Sequence, residues 1–367
     1  SLKLSEKTAA SLYRHDLALT QSRLENYLSC PLSHFCEYVL RLGRDRQAAF
    51  DAMNIGSFLH AILEKFFVSV TEESADLSAL GAAERSARIR RSAEEYLAEL
   101  RSGGTVNPAR ENLLIERLIR AANVIVEGLC DELSGCRFVP RFFELEIRDG
   151  GEGTPSPVRI ACEDGTEISL YGTIDRVDTY TDGEDVYVRV IDYKTGQKKF
   201  SPKDLSDGKN LQMFLYLRAV VESRDPAFRA RIGVGDDGDL IPAGVLYIRA
   251  ATSGGTLDSP HESAHDAVKA EQTRSGMLLD SESSLGAMNA DYLPVKREKD
   301  GSFKASDLLY TEEGWQEISA VVEDGVRRIV ARMKSGDIAA LPVKRDGQST
   351  VCETCRYKPV CRNVRLK

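Results

Sequence analysis

The sequence predicts an α/β fold in which strands form a sheet with helices around it and a helical insertion. Three observations predict it. Five short runs rich in aromatic and β-branched residues fall within 138–248, helical periodicity stands on either side of them, and 72–135 reads as helix with no strand. At 367 residues, 42% hydrophobic and 29% charged, the chain can bury a sizeable core as one large domain or two ordinary ones, and is neither disordered nor fibrous. Its 49 basic and 57 acidic residues leave a net charge of -8, which argues against a uniformly basic coat and leaves room for a local basic groove. There is no bilayer-length apolar run, and the polar first ten residues contain no signal region, so a soluble, cytoplasmic protein is expected. Because the chain starts at Ser1 rather than Met, a piece of something longer is also expected.

The first helix is expected from about Ser22, where Ser22 and Glu25 form a capping-box pattern and Leu24, Tyr27 and Leu28 supply an apolar face. Cys30-Pro31 interrupts it, and Leu32, Phe35, Tyr38 and Val39 resume helical spacing. From Ile55, the positions Phe58, Leu59, Ile62, Leu63, Phe66, Phe67 and Val70 recur at steps of three and four, the clearest amphipathic helix of the chain. The insert, 72–135, breaks at Ser102-Gly103-Gly104, and Pro108 opens its next helix. Strands are expected at 138–147, 158–162, 168–179, 186–193 and 243–248, with Thr181-Asp182-Gly183 as a hairpin turn. Helix returns at 208–221, 251–265 reads as a Ser/Gly-rich loop, and 311–334 is a long helix before the tail.

Strand alternation puts Val186, Val188, Val190, Asp192 and Lys194 on one face, so an apolar stripe ends in a carboxylate and an ammonium. The preceding strand carries Asp175 in Gly172-Thr-Ile-Asp175-Arg, where hairpin pairing can bring it close to Asp192. Two carboxylates and a lysine suit Mg2+ or Mn2+, hard cations that prefer oxygen, with the lysine orienting an attacking water or stabilising a phosphorane-like transition state. His60 lies four residues from Gly56 and from Glu64 on one flank of the amphipathic helix, and Gln212 and Tyr216 sit four apart on another. Taken singly, each of these is an ordinary helix or strand residue. In the tail, Cys352, Cys355 and Cys361 give C-x2-C-x5-C, which lets three thiolates converge on one metal centre. A fourth ligand must come from elsewhere, and four thiolates would hold zinc as readily as an iron–sulfur cluster.

The ordered set is far more specific than its parts. Gly56-Ser-Phe-Leu-His60, Gly172-Thr-Ile-Asp175-Arg-Val-Asp, Asp192-Tyr-Lys194-Thr-Gly and Gln212-Met-Phe-Leu-Tyr216 together resemble the RecB-like branch of the PD-(D/E)XK nuclease superfamily. The cysteine tail, with Cys30-Pro31 far upstream, resembles its iron–sulfur members, most closely the C-terminal nuclease region of AddB-type subunits of bacterial helicase–nucleases; the likeness runs from about Thr20 to Arg362. The resemblance implies a restriction-endonuclease-like α/β/α sandwich with a mixed sheet. It implies a metal site of His60, Asp175, Asp192 and the Tyr193 carbonyl, Lys194 as catalytic residue, and Gln212 and Tyr216 near DNA. It further implies a [4Fe-4S] cluster on Cys30, Cys352, Cys355 and Cys361, for which Cys36 competes with Cys30 as the fourth ligand. Cys130, Cys136 and Cys162 are expected to be ordinary thiols.

The expected organisation is a single nuclease domain with a cysteine-bearing N-terminal segment (20–40), the helical insert, a catalytic core (137–250) and the C-terminal helix and tail (311–367). The expected activity is a Mg2+-dependent exonuclease that processes DNA ends, with an AddA-type helicase subunit as partner; no G-x-x-x-x-G-K-[ST] loop for ATP occurs in the chain. From Pro342 onward, Lys344, Arg345, Arg356, Lys358, Arg362, Arg365 and Lys367 outnumber Asp346 and Glu353, a basic patch fit for phosphates. The competing expectations are a free-standing nuclease like those of CRISPR adaptation and a non-catalytic module that binds DNA ends.

Overall fold

The computed structural model describes residues 2–42, 52–73, 77, 80–101, 108–194, 200–249, 273–345, 349–353 and 355–361. Its centre is an eight-stranded mixed sheet. The long strand β4 (Glu167–Asp182) organises it: β1 (Asp16–Thr20) pairs with it in parallel, and β2 (Val139–Ile147), β3 (Val158–Ala161) and β5 (Asp185–Lys194) pair with it antiparallel. Beyond β5 come β6 (Leu240–Arg249), parallel to it, then antiparallel β7 (Ser275–Leu279) and the two-residue β8 (Leu309–Tyr310).

Helices cover both faces. Val186, Val188 and Val190 of β5 and Val245 of β6 bury one face against α2 (Gln21–Ser29), α8 (Leu211–Val221) and the long helix Glu312–Lys334. Ile191 and Tyr193, on alternate positions of β5, face the opposite way with Leu246 and Ile248. There they meet α4 (Ala52–Glu72), which contributes Phe58, Leu59, Ile62 and Phe66. Behind α4 lie α5 (Ala82–Arg101) and α6 (Pro108–Ser134), packed through Ile89, Ala93, Ile119 and Val126. The result is the expected α/β/α sandwich, with the insert thickening one layer. Burying each large apolar side chain stabilises it by about 1.5–3 kcal/mol, so the periodicity of α4 and the alternation of β5 are the main reasons these segments take these places.

Several local expectations are corrected. The strand β1 runs straight into α2, so Thr20 occupies the cap position without a side-chain hydrogen bond and the Ser22–Glu25 box does not form. Residues 31–39 form a short helix, Pro31–His34, that widens into a π turn, Phe35–Val39. The helix expected from 208 starts at Leu211, because Asn210 takes a left-handed conformation (φ 54) and its side chain bonds Asp204 at 2.7 Å. The strands β1, β7 and β8 were not expected. The hairpin turn between β4 and β5 forms at Gly183 (φ 64), and Thr311 caps the long helix by accepting from Gly314 N–H at 3.1 Å. The 251–265 loop and the Ser102-Gly103-Gly104 break lie outside the described residues.

Candidate active site

The strand β4 changes partners along its length. It pairs β1 and β3 up to Tyr171 and Leu170, β2 from Gly172 onward and β5 from Arg176 onward. Asp175 lies at this change. The β2 register sets Phe143 against Arg176 and Leu145 against Ile174, so Glu144 stands across from Asp175. On the other side Arg176 pairs with Ile191, which puts Asp192 one step further on, beside Asp175. Both strands also roll here. Ile174 and Val177, three apart, pack into the same core, as do Phe142 and Leu145, and Glu144 between the latter two has φ 46. A left-handed backbone at a non-glycine residue is uncommon and costs about 1–3 kcal/mol.

Ligand atoms of His60, Glu144 and Asp175 lie within 4.8 Å of one another. His60 comes from α4 across the sheet end: its Nδ1 is 3.5 Å from Asp175 Oδ2 and its Nε2 donates to the Tyr193 carbonyl at 2.7 Å. The backbone N–H of Tyr193 donates to Asp175 Oδ2 at 2.9 Å. Lys194, at the end of β5, holds both oxygens of buried Asp192, at 3.0 and 2.9 Å. The structure therefore brings His60, Asp175 and the Tyr193 backbone together, sets Asp192 with Lys194 beside Asp175 but outside the closest group of ligand atoms, and adds Glu144, which was not singled out in the sequence. The signal for it was an acid inside the otherwise apolar run Phe142-Phe143-Glu144-Leu145, which only strand register turns into a site residue.

The electrostatics are those of crowded carboxylates. Burial and the neighbouring Asp192 push Asp175 up to about 6. Burial, Asp175 and Glu64 push Glu144 up to about 7. Burial opposes the charge on Lys194, but Asp192 outweighs it and the ammonium titrates above its ordinary value. Several oxygens and one imidazole, short of positive charge and half out of water, match the donor preference of a hard divalent cation.

A sequence model of the PD-(D/E)XK nuclease superfamily matches residues 18–362. The chain belongs to this superfamily. Among curated proteins, the chain is 27% identical over 372 residues to the B-type subunit of an ATP-dependent helicase/deoxyribonuclease of Clostridioides difficile, covering 98% of this chain and 31% of that protein. It is 28% identical to the proteins of the same description from Alkaliphilus oremlandii, over 372 residues, and Desulfitobacterium hafniense, over 381, with 98% and 31% coverage in both cases. The chain thus spans about a third of the length of these relatives.

Tyr216 packs directly over Gly172, where an added Cβ would collide with the Tyr216 hydroxyl. Its phenol, pushed up to about 12 by burial, is hydrogen-bonded by the Gln212 side chain and the Thr173 backbone. Tyr216 is buried in the same core as Leu211, Phe214, Leu215 and Val220 of its helix. Gln212 is half-buried beside it.

Cys30, Cys352, Cys355 and Cys361 line one cavity of about 280 Å3. Cys36 is fully buried and outside that lining, although it is near enough to Cys355, Cys361 and Cys30 that their charge adds to burial in raising its thiol. Cys130 lies in α6, Cys136 just after it, and Cys162 just past β3 rather than within a strand. In the basic tail, Arg356 is 3.5 Å from Glu37 and Lys358 bonds the Glu353 carbonyl. Arg362, Arg365 and Lys367 lie outside the described residues. Among the described residues no helix is long and apolar enough to cross a membrane.

Proposed function

We propose that the chain is the nuclease module of a helicase–nuclease, a metal-dependent exonuclease acting on DNA ends, with an AddA-type helicase subunit as partner and the cytoplasm as its place of work. The observation that carries this reading is the convergence of His60, Glu144 and Asp175, with Asp192, held by Lys194, beside Asp175 on the adjoining strand. His60, Asp175, Asp192 and the Tyr193 carbonyl would hold Mg2+ or Mn2+, with Glu144 close enough to join them. Such an ion, when bound, supplies a Lewis acid for a phosphate oxygen and an acidified water. Lys194 stays protonated beside Asp192, and its 44% exposed side chain is placed to donate to a phosphate oxygen as charge builds on it. Of the two residues expected near DNA, half-buried Gln212 would touch it, while Tyr216, buried in the core, would support Gln212 from behind. Residues 1–367 serve as one nuclease unit in this reading.

A [4Fe-4S] cluster on Cys30, Cys352, Cys355 and Cys361 completes the proposal. The likeness of the cysteine tail and Cys30-Pro31 to the iron–sulfur members of the superfamily supports it over zinc, which four thiolates would also hold. Iron with acid-labile sulfide in anaerobically purified protein is expected; zinc without either overturns the cluster.

The test of function is cleavage of end-labelled single- and double-stranded DNA with Mg2+ and with EDTA. Cleavage that EDTA stops is expected, and Lys194→Ala should lower it by at least about a hundredfold with DNA affinity kept. Binding without cleavage would favour the non-catalytic module, and equal turnover in Lys194→Ala and parent would remove the catalytic assignment. Cleavage of DNA ends that an added helicase subunit does not stimulate would favour the free-standing nuclease.

A further inference from the structure

On the α4 side of the sheet, directly behind the acidic site, lies a wholly buried network of charges. Arg176 of β4 grips Asp178 with two parallel bonds, Nε to Oδ1 at 2.7 Å and Nη2 to Oδ2 at 2.9 Å. Arg189 of β5 donates to the same Asp178 at 3.0 and 2.8 Å, and its Nη2 lies 3.4 Å from Glu132. Glu132, near the end of α6, accepts from Arg274 at 3.0 and 2.6 Å. Burial alone would raise the Glu132 carboxyl, but Arg274, Arg189 and Arg176 hold it down at about 2. Aromatic rings close the sides, with Phe67 5.5 Å from the Arg176 guanidinium and Phe138 4.9 Å from that of Arg189.

Taking this many charges out of water is expensive, and apolar residues of the same volume would stabilise a sheet at least as well. One contact leads out of the network toward the site: Arg176 Nη1 donates to the Tyr193 hydroxyl at 3.0 Å. Tyr193 is 4% exposed, and its backbone is part of the acidic cluster, with N–H on Asp175 and carbonyl facing His60. The bidentate fork leaves the Arg176 plane one orientation, so its remaining N–H can hold the phenol in only one place.

We propose that Arg176, with Asp178 and Arg189 behind it, is a positioning residue for the metal site: through the Tyr193 hydroxyl it fixes the strand end whose backbone presents the carbonyl and orients Asp175. Glu132 and Arg274 extend the same hold to the helical insert, so the insert is braced against the site's supporting layer. This rests on the metal-site reading given under Proposed function.

Mn2+ binding to the whole chain, followed by electron paramagnetic resonance without DNA, tests it. Tyr193→Phe keeps the ring and removes only the anchored oxygen. It should weaken Mn2+ binding by about tenfold or more, the loss typical of removing a partner that orients a metal ligand. Arg176→Lys keeps the charge without the fork and should weaken it likewise. The two together should lose little more than either alone, because both break one contact. Ile89→Ala, in the apolar packing of α5, supplies a destabilised control whose Mn2+ affinity should stay at the parent value. Parent-like affinity in Tyr193→Phe, or an equal loss in Ile89→Ala, overturns the proposal while leaving the metal site standing. Parent-like affinity in Asp192→Asn overturns the metal site itself, and the positioning role with it.

Discussion

Glu144 and Asp175 are acids held where negative charge is least welcome, and that gives the metal-free protein a definite pH response. Both folded values, about 7 and about 6, lie above those of an unfolded chain. Between roughly pH 4 and 7 the folded state therefore binds more protons than the unfolded state, so stability falls as pH rises through that window. In EDTA the melting temperature should drop from pH 5 to pH 8 more steeply in the parent than in Glu144→Gln or Asp175→Asn. With Mg2+ the slope should flatten, since the cation replaces the protons; identical slopes in parent and variants would show that these two carboxyls do not set the response. Asp175 and Asp192 were legible because the hairpin that pairs them lies within one stretch of sequence. Glu144 was not legible: its register against β4 joins residues about thirty positions apart, and nothing in a strand acid announces a rolled backbone.

The glycine of Gly172-Thr-Ile-Asp175 has its explanation at the scale of elements, where β4 and α8 touch through a tyrosine ring and a bare Cα. Gly172→Ala would drive a methyl group into the Tyr216 side chain, with the hydroxyl and two ring atoms closer than 3 Å. It should cost about 1–3 kcal/mol by overpacking, and Tyr216→Ala in the same chain should recover part of that, a coupling readable in a double-mutant unfolding cycle. Simple addition of the two losses would mean that the ring is free to swing away. The helices α4 and Glu312–Lys334 could be read from periodicity because each buries one continuous stripe. The two-residue β8 was too short to stand out from loop, and β1 (Asp16-Leu-Ala-Leu-Thr20) and β7 (Ser275-Gly-Met-Leu-Leu279) carry almost none of the β-branched and aromatic residues that mark a strand. The Ser22–Glu25 pattern misled because a capping box describes a helix entered from a loop, whereas α2 is entered from a paired strand.

For the molecule as a whole, the two ends of the described chain are tied side by side. Leu4 N–H bonds the Gly336 carbonyl at 2.8 Å, the Tyr27 hydroxyl bonds the Asp337 carbonyl at 2.9 Å, Val343 N–H bonds the Ser29 carbonyl at 3.0 Å, and Tyr357 bonds Glu37. The four-cysteine cavity sits among these ties. If Cys30 closes a cluster there, Cys30→Ser should raise amide exchange in 31–39 and 349–361 while β4 and β5 keep their protection. Unchanged exchange in both segments would remove Cys30 from the ligand set. The mixture of strands and helices was legible from patterning and the sandwich from the family resemblance, but this joining of ends was visible only through the cysteine spacing, because the backbone hydrogen bonds among its ties leave no mark in residue type.

The same joining of ends imposes an order in time. At typical ribosomal speeds of about 5–20 residues per second, the stretch from Cys30 to Cys361 takes roughly a quarter of a minute to a minute to emerge. The strands that carry Glu144, Asp175 and Asp192 are complete long before the last three thiols exist. A nascent chain can therefore assemble its acidic centre first, while the thiol of Cys30 waits without its eventual neighbours, open in that interval to any oxidant in the cell.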